Sequence, residues 1–185
     1  MHKTYSLILC TLCIPLLVSA HQPRVPTGDQ IQVTEPEISK AYYSELTGKP
    51  HVYTITSEQA FALYLNILTP YSSDADKKLS FRLSNNSDQE GKVFSGSDYQ
   101  RSRFFEPFGY DSYWQGPEYR TQAAAGTYQI VVFSPNNKSK YVLAIGEKEQ
   151  FNLQETKQAL LLIPKLKKDF FFFFPRNFLL SPLGW

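Results

Sequence analysis

Residues 126–146 constrain the fold more than any other part of the chain. They read GTYQIVVF, then the polar SPNNKSK, then YVLAIG. Side chains alternate across a strand, so Tyr128, Ile130 and Val132 share one face of the first run and Tyr141, Leu143 and Ile145 one face of the second. Two β-prone runs joined by a Pro-Asn-Asn turn predict an antiparallel hairpin with one wholly apolar face. Such a face has to be covered, and the remainder of the chain is expected to supply the cover.

The chain opens on a segment that is expected to be removed. Residues 1–20 carry Lys3 near the start, an apolar stretch over 7–18 and the small residues Ser19 and Ala20, the pattern of a secretory signal peptide cleaved after Ala20. The stretch is shorter than the roughly 20 apolar residues that span a bilayer, and Pro15 interrupts it. Cys10 and Cys13 follow Leu9 and Leu12, where lipoprotein maturation wants a small residue, so lipidation is not expected. Both cysteines of the sequence lie in this segment. The exported domain is therefore stabilised by burial without disulfides, which suits a bacterial or archaeal envelope protein. The net charge of +2 falls by one when Lys3 is lost, which points away from a nucleic-acid partner.

Residues 21–35 read as an extended leader whose end pairs through Ile31 and Val33. A β-sandwich domain is expected over 36–150, a helix with a basic end over 151–169 and an apolar aromatic tail over 170–185. Within the domain, Ser39 as a cap, Tyr42 and Leu46 one turn apart and Gly48 as a stop predict a short helix. Alternation predicts strands over 51–55, over 60–68 through Phe61, Leu63, Leu65 and Ile67, and over 79–84 through Leu79, Phe81 and Leu83. Residues 85–91 and 95–98 read as turns around a short strand at 92–94. The stretch 104–119 is rich in aromatics but broken by Pro107, Gly109, Gly116 and Pro117, and fits neither period. It is expected to be a structured loop plugging one end of the sandwich, followed by a strand from 119 to about 124. Asn152 with Glu155 three residues later forms a capping box, predicting a helix over 153–162 that Pro164 bends or ends.

Several residues could carry chemistry. His21, as a new amino terminus, could chelate copper together with His51, in the manner of histidine-brace β-sandwich proteins. Asp74 with Asp76, or Asp88 with Glu90, could contribute to a calcium site, although Ca²⁺ needs six to eight oxygen ligands. The carboxylates Glu106, Asp111 and Glu118 could pair for glycoside hydrolysis. Against each stands the plainer role of leader residue, solvated loop acid or local hydrogen-bond partner, and the expectation is a non-enzymatic protein without cofactor. The strongest candidate is the aromatic stretch, where Tyr110, Tyr113 and Trp114 could stack on a sugar ring or anchor a protein partner. Its alternative is a buried plug. Asn85 and Asn137 head glycosylation acceptor triplets, which matter only in a eukaryotic pathway.

The segments GPE at 116–118, AGTYQIVVFSPN at 125–136 and KYVLAIGE at 140–147 resemble a group of uncharacterised exported bacterial β-sandwich proteins, over residues 36–171. More distantly, the Gly-x-Tyr-x-Ile-x-Val and Tyr-x-Leu-x-Ile strands are similar to the closing strands of bacterial pre-peptidase C-terminal domains. That resemblance implies an all-β, antiparallel jelly-roll-like sandwich, here of about eight strands over 51–146 with short flanking helices. Those domains often bind calcium through acidic positions that have no match in this chain. The exported group is similar through PKLKKDFF at 164–171 and then continues into a membrane-spanning segment, from which this sequence departs. Two expectations follow for the tail: a frameshifted or truncated anchor from about Phe172 onward, or a short interfacial anchor. In the second, Lys165, Lys167 and Lys168 meet anionic headgroups while Phe170 and Phe171 enter the acyl boundary. The functional expectation is an exported binding or structural module at the cell envelope, tethered to a membrane through its C-terminal region. A carbohydrate-binding module using 104–119 and a calcium- or copper-binding sandwich are the alternatives.

Overall fold

The computed structural model describes residues 21–72, 76–106, 111–150 and 152–170. Residues 1–20, Asp74, Tyr110 and the tail from Phe171 lie outside the described residues. Among the described residues eleven strands precede one helix: β1 (Gln22–Arg24), β2 (Gln30–Val33), β3 (Lys40–Thr47), β4 (His51–Ser57), β5 (Phe61–Pro70), β6 (Ser80–Asn85), β7 (Asp88–Phe94), β8 (Ser102–Glu106), β9 (Asp111–Ala123), β10 (Gly126–Phe133), β11 (Lys138–Ile145) and α1 (Leu153–Asp169). They form a six-stranded sheet ordered β1-β3-β11-β5-β9-β8 and a five-stranded sheet ordered β2-β4-β10-β6-β7. The fold is an all-β sandwich. Eight strands, β4 to β11, occupy the 51–146 region, as the sequence predicts, and three more precede them. The short edge strands β1 and β2 pair parallel to β3 and β4, so the sandwich is not wholly antiparallel.

The run at 126–146 departs from its expected pairing. β10 lies between β4 and β6, whereas β11 lies between β3 and β5 in the opposite sheet. Residues 134–137 do form a tight turn: the Asn137 amide donates to the Ser134 carbonyl at 3.1 Å, and the Asn137 side chain accepts from the Ser134 amide at 3.0 Å. That turn carries the chain from one sheet to the other. The physical reason is the apolar face itself. In a one-sheet hairpin both apolar faces point the same way and need a third element, but in an arch they meet across the core. Tyr128, Ile130 and Val132 accordingly share a buried cluster with Tyr141, Leu143 and Ile145, joined by Tyr53, Leu63, Leu65, Ile67 and Phe81.

The short helix expected near 39–48 is strand β3. A spacing of four places Tyr42 and Leu46 on one face of a helix and equally on one face of a strand, and Ser44 between them decides the matter. All three turn inward, and the Ser44 hydroxyl meets His51 Nδ1 at 3.1 Å. Gly48 still ends the element with a positive φ of 103°, now within the connection to β4.

The expected loop over 104–119 is the β8–β9 hairpin, with Glu106 opposite Asp111 and Arg103 opposite Trp114. Its alternation fails because β9 contains a bulge: the register with β5 shifts between Asn66 and Leu68, at Gly116 and Pro117. Before the bulge the even residue Trp114 lies on the core side, opposite Thr69; after it the odd residue Tyr119 does, opposite Leu65. Gly116 permits the close approach, because a Cβ there would stand 2.7 Å from the Ile67 carbonyl oxygen.

Helix α1 begins as expected, with Asn152 Oδ1 accepting from the Glu155 amide at 2.9 Å. It runs past Pro164 to Asp169. Proline at 164 frees the Leu160 carbonyl, and Leu160 is exposed, so water can satisfy it. The helix lays Leu166 and Phe170 on the outer face of the six-stranded sheet, against Ala41, Leu68, Tyr113, Val142 and Ala144.

Candidate functional site

Two contacts between charged groups fix α1 on the sheet. At its start the Glu155 carboxylate receives both Arg24 guanidinium nitrogens, at 3.0 and 2.9 Å. Near its end the Lys167 ammonium pairs with the Asp111 carboxylate, both side chains being more than nine-tenths buried. Beside that pair the Tyr43 and Tyr113 hydroxyls stand 3.2 Å apart. Burial pushes the Asp111 carboxyl above its ordinary value, with the Lys167 ammonium opposing that shift.

These contacts revise several expected sites. Lys167 is 6% exposed and Tyr113 2% exposed, so neither presents its functional group to a ligand or a lipid; both are committed to the seam between helix and sheet. Phe170 packs edge-on against Tyr43, with ring centroids 5.3 Å apart, in the same seam. Lys165 and Lys168 are exposed. Phe171 and Tyr110 lie outside the described residues.

The copper arrangement is not assembled. His21 Nδ1 bonds to Ser39 and His51 Nδ1 to Ser44. Five steps along an extended chain separate those serines, roughly 16 Å at about 3.3 Å per residue, whereas two nitrogens on one copper ion lie within a few ångströms. His51 instead ends a buried polar chain, 2.8 Å from the Tyr141 hydroxyl, which is 2.9 Å from that of Tyr53. The acids expected for calcium serve local turns: Asp76 Oδ1 accepts from the Lys78 amide at 2.9 Å and Asp88 Oδ1 from the Gly91 amide at 3.0 Å. Among the described residues no group of three or more His, Cys, Asp or Glu is placed to hold a metal ion. Glu106 and Asp111 do face each other across β8 and β9, beside a cleft of about 30 Å³ that His21 and Tyr43 also line. That is the room of about one water, too little for a sugar ring.

Burial lowers the proton affinity of both His21 and His51 below the ordinary histidine value. The unfolded chain therefore takes up protons near pH 6.5 that the folded state resists, and stability falls as pH drops through that value. Each histidine adds a slope of up to about 1.4 kcal/mol per pH unit. Asp111, shifted up by burial, acts in the opposite sense. Thermal melts between pH 7.5 and 5.5 should show a falling Tm, with a shallower slope in His51→Gln. A Tm constant over that interval contradicts the burial of neutral histidines.

The aromatic residues are arranged differently from the expected plug or stacking loop. Thr69 and Tyr71 continue the core-facing side of β5 past Ile67, and Trp114 and Arg103 stand on the same side of β9 and β8 by register. This end of the sheet overhangs the core, leaving Tyr71 45% exposed. The Tyr71 and Trp114 ring centroids lie 4.6 Å apart, with planes inclined by 36°. Each ring carries a cation: Lys77 Nζ is 4.3 Å from the Trp114 ring and the Arg103 guanidinium 4.8 Å from Tyr71. Arg101 Nε donates to the Lys77 carbonyl at 2.9 Å and so places the lysine, while Arg103 is steadied by the Ser112 hydroxyl at 3.1 Å. Phe105, 44% exposed, continues the surface. Of the expected ligand-binding residues Trp114 is thus half-buried beside the exposed Tyr71, and its partners Tyr71, Lys77 and Arg103 are new. Tyr71 was legible in principle, because it shares the parity of Ile67 at the end of a strand that outruns its sequence signal.

A second concavity, of about 400 Å³, lies between the end of α1 and the far half of β3. Its apolar walls come from Val25, Pro26, Tyr43 and Phe170, with Lys49, Lys140 and Lys165 around them. Lys49 pairs with Asp29, and Lys140 donates to the Asp169 carbonyl at 2.7 Å.

No family model matches the chain, and no curated protein matches it. Among solved structures it is similar to the pre-peptidase C-terminal domain of collagenase from Bacillus anthracis, at 14% identity over 69% of this chain and 95% of that one, with a TM-score of 0.39.

Proposed function

We propose that the protein is an exported, non-enzymatic binding module of the cell envelope, held near a membrane through its C-terminal region. The observation that supports it best is the overhanging surface formed by Tyr71, Trp114, Lys77 and Arg103, because paired rings with cations on a rigid sheet end are suited to recognition. The pattern at residues 1–20 and the basic, phenylalanine-rich sequence after residue 164 support export and tethering. Among the described residues no helix is long and apolar enough to cross a membrane, so the tether proposal rests on that sequence and on interfacial contact.

The ring pair favours carbohydrate as the ligand class, since flat aromatic faces stack on sugar rings, and the flanking cations favour acidic sugars. Glycan array screening of the mature chain tests this directly. Binding to acidic glycans, reduced roughly tenfold or more by Tyr71→Ala with Trp114→Ala, is the expected result. An array with no binding, together with a Tm unmoved by Ca²⁺ or Cu²⁺, leaves a protein partner for the same surface.

A further inference from the structure

We propose that the outer face of α1 lies on an anionic lipid surface and so fixes how the sandwich stands on the membrane; this rests on the tethered reading above. Leu153, Leu160 and Leu161 are 91%, 61% and 73% exposed. With Lys157, Pro164 and Lys168 they recur at intervals of three and four residues, on the side of the helix opposite Ala159, Ile163, Leu166 and Phe170. The apolar residues that the fold requires are thus already placed against the sheet, and the exposed stripe is surplus to it. Single exposed leucines are ordinary, but leucines interleaved with Lys157 and Lys168 on one helix face, with Lys165 beside it, have the composition of an interfacial helix.

Charge selects the occupant. A second copy docking the same face in a two-fold arrangement brings lysines against lysines, whereas an anionic bilayer pairs with them and takes up the leucines. The helix also leads without a break in sequence into the phenylalanine-rich tail. The inner side of the helix is held by Arg24–Glu155 and Asp111–Lys167, at opposite ends of α1. Contact with lipid can therefore orient the whole domain without first detaching the helix.

Both cysteines of the sequence, Cys10 and Cys13, precede residue 21, so Leu161→Cys in the chain 21–185 accepts a single polarity-sensitive fluorophore. Glu90→Cys, on the exposed edge strand of the other sheet, is the control. The expected result is a blue shift at 161, and none at 90, on vesicles of phosphatidylcholine with about a third phosphatidylglycerol, and no shift at either position on phosphatidylcholine alone. Leu160→Asp with Leu161→Asp, and separately Lys157→Glu with Lys165→Glu and Lys168→Glu, should each weaken partition to the acidic vesicles roughly tenfold or more while Tm holds. If the chain cosediments with acidic vesicles while the label at 161 stays in water, the tether stands and this inference falls. If the chain cosediments with neither vesicle, both fall. A dimer in solution that shields the label at 161 overturns it in favour of a second copy.

Discussion

Asp111→Ala is expected to lower the unfolding free energy by about 3–5 kcal/mol, because it leaves the Lys167 ammonium buried without its carboxylate. The loss has a structural signature. Lys167 can regain water only if the end of α1 lifts, and lifting it uncovers Tyr43, Tyr113 and Val142, so limited proteolysis should cut within 153–170 in the variant before the sandwich itself unfolds. Replacing both partners, Asp111→Leu with Lys167→Met, should recover most of the stability, since two apolar groups in that seam carry no desolvation penalty. Urea unfolding measures all three proteins. A loss below about 1 kcal/mol in Asp111→Ala means that the pair is solvated and the helix is held by other contacts.

The second large effect is in the core. Leu143→Ala on β11 should cost about 2–5 kcal/mol, the range for emptying a fully enclosed leucine site. Leu143 has no exposed surface and sits on the strand that faces β10 across the sandwich. Gln129→Ala, on the outward side of β10, should stay within about 0.5 kcal/mol. The contrast tests whether the inward side of β11 is enclosed while the outward side of β10 is not. Equal, small effects at both positions contradict that enclosure.

Where alternation was clean the sequence disclosed both strand and face: Phe61 to Ile67, Leu79 to Leu83, and the two runs at 126–146 turn the expected side chains inward. What it did not disclose was partnership, because a period of two fixes the face of a strand and is silent on its neighbour. Proximity in sequence thus suggests pairing β10 with β11, although their facing apolar surfaces are better satisfied across the core. Tyr42 and Leu46 misled because a spacing of four satisfies both periods. At Gly116 and Pro117 the bulge reversed the parity, so the longest strand read as a loop. The candidate site was half legible for the same reason. Trp114 stands out by its chemistry, but Tyr71 follows β5 directly, Lys77 lies in the connection to β6 and Arg103 is on β8, and only the fold brings them to it. Lys167 looked like its neighbours Lys165 and Lys168. Its helical position, on the side of Ile163 and Leu166 and facing Asp111, separates it from them.

The central functional claim is that the overhanging ring pair is a recognition surface. Trp114 and Trp185 are the two tryptophans of the chain, so in Trp185→Phe the indole emission reports on Trp114 alone. Titrating that variant with an acidic oligosaccharide should give a saturable change in emission, weakened by salt as expected for Lys77 and Arg103 and lost in Tyr71→Ala. An emission spectrum that does not move with acidic glycans, neutral glycans or envelope protein extracts contradicts the assignment of this surface to binding.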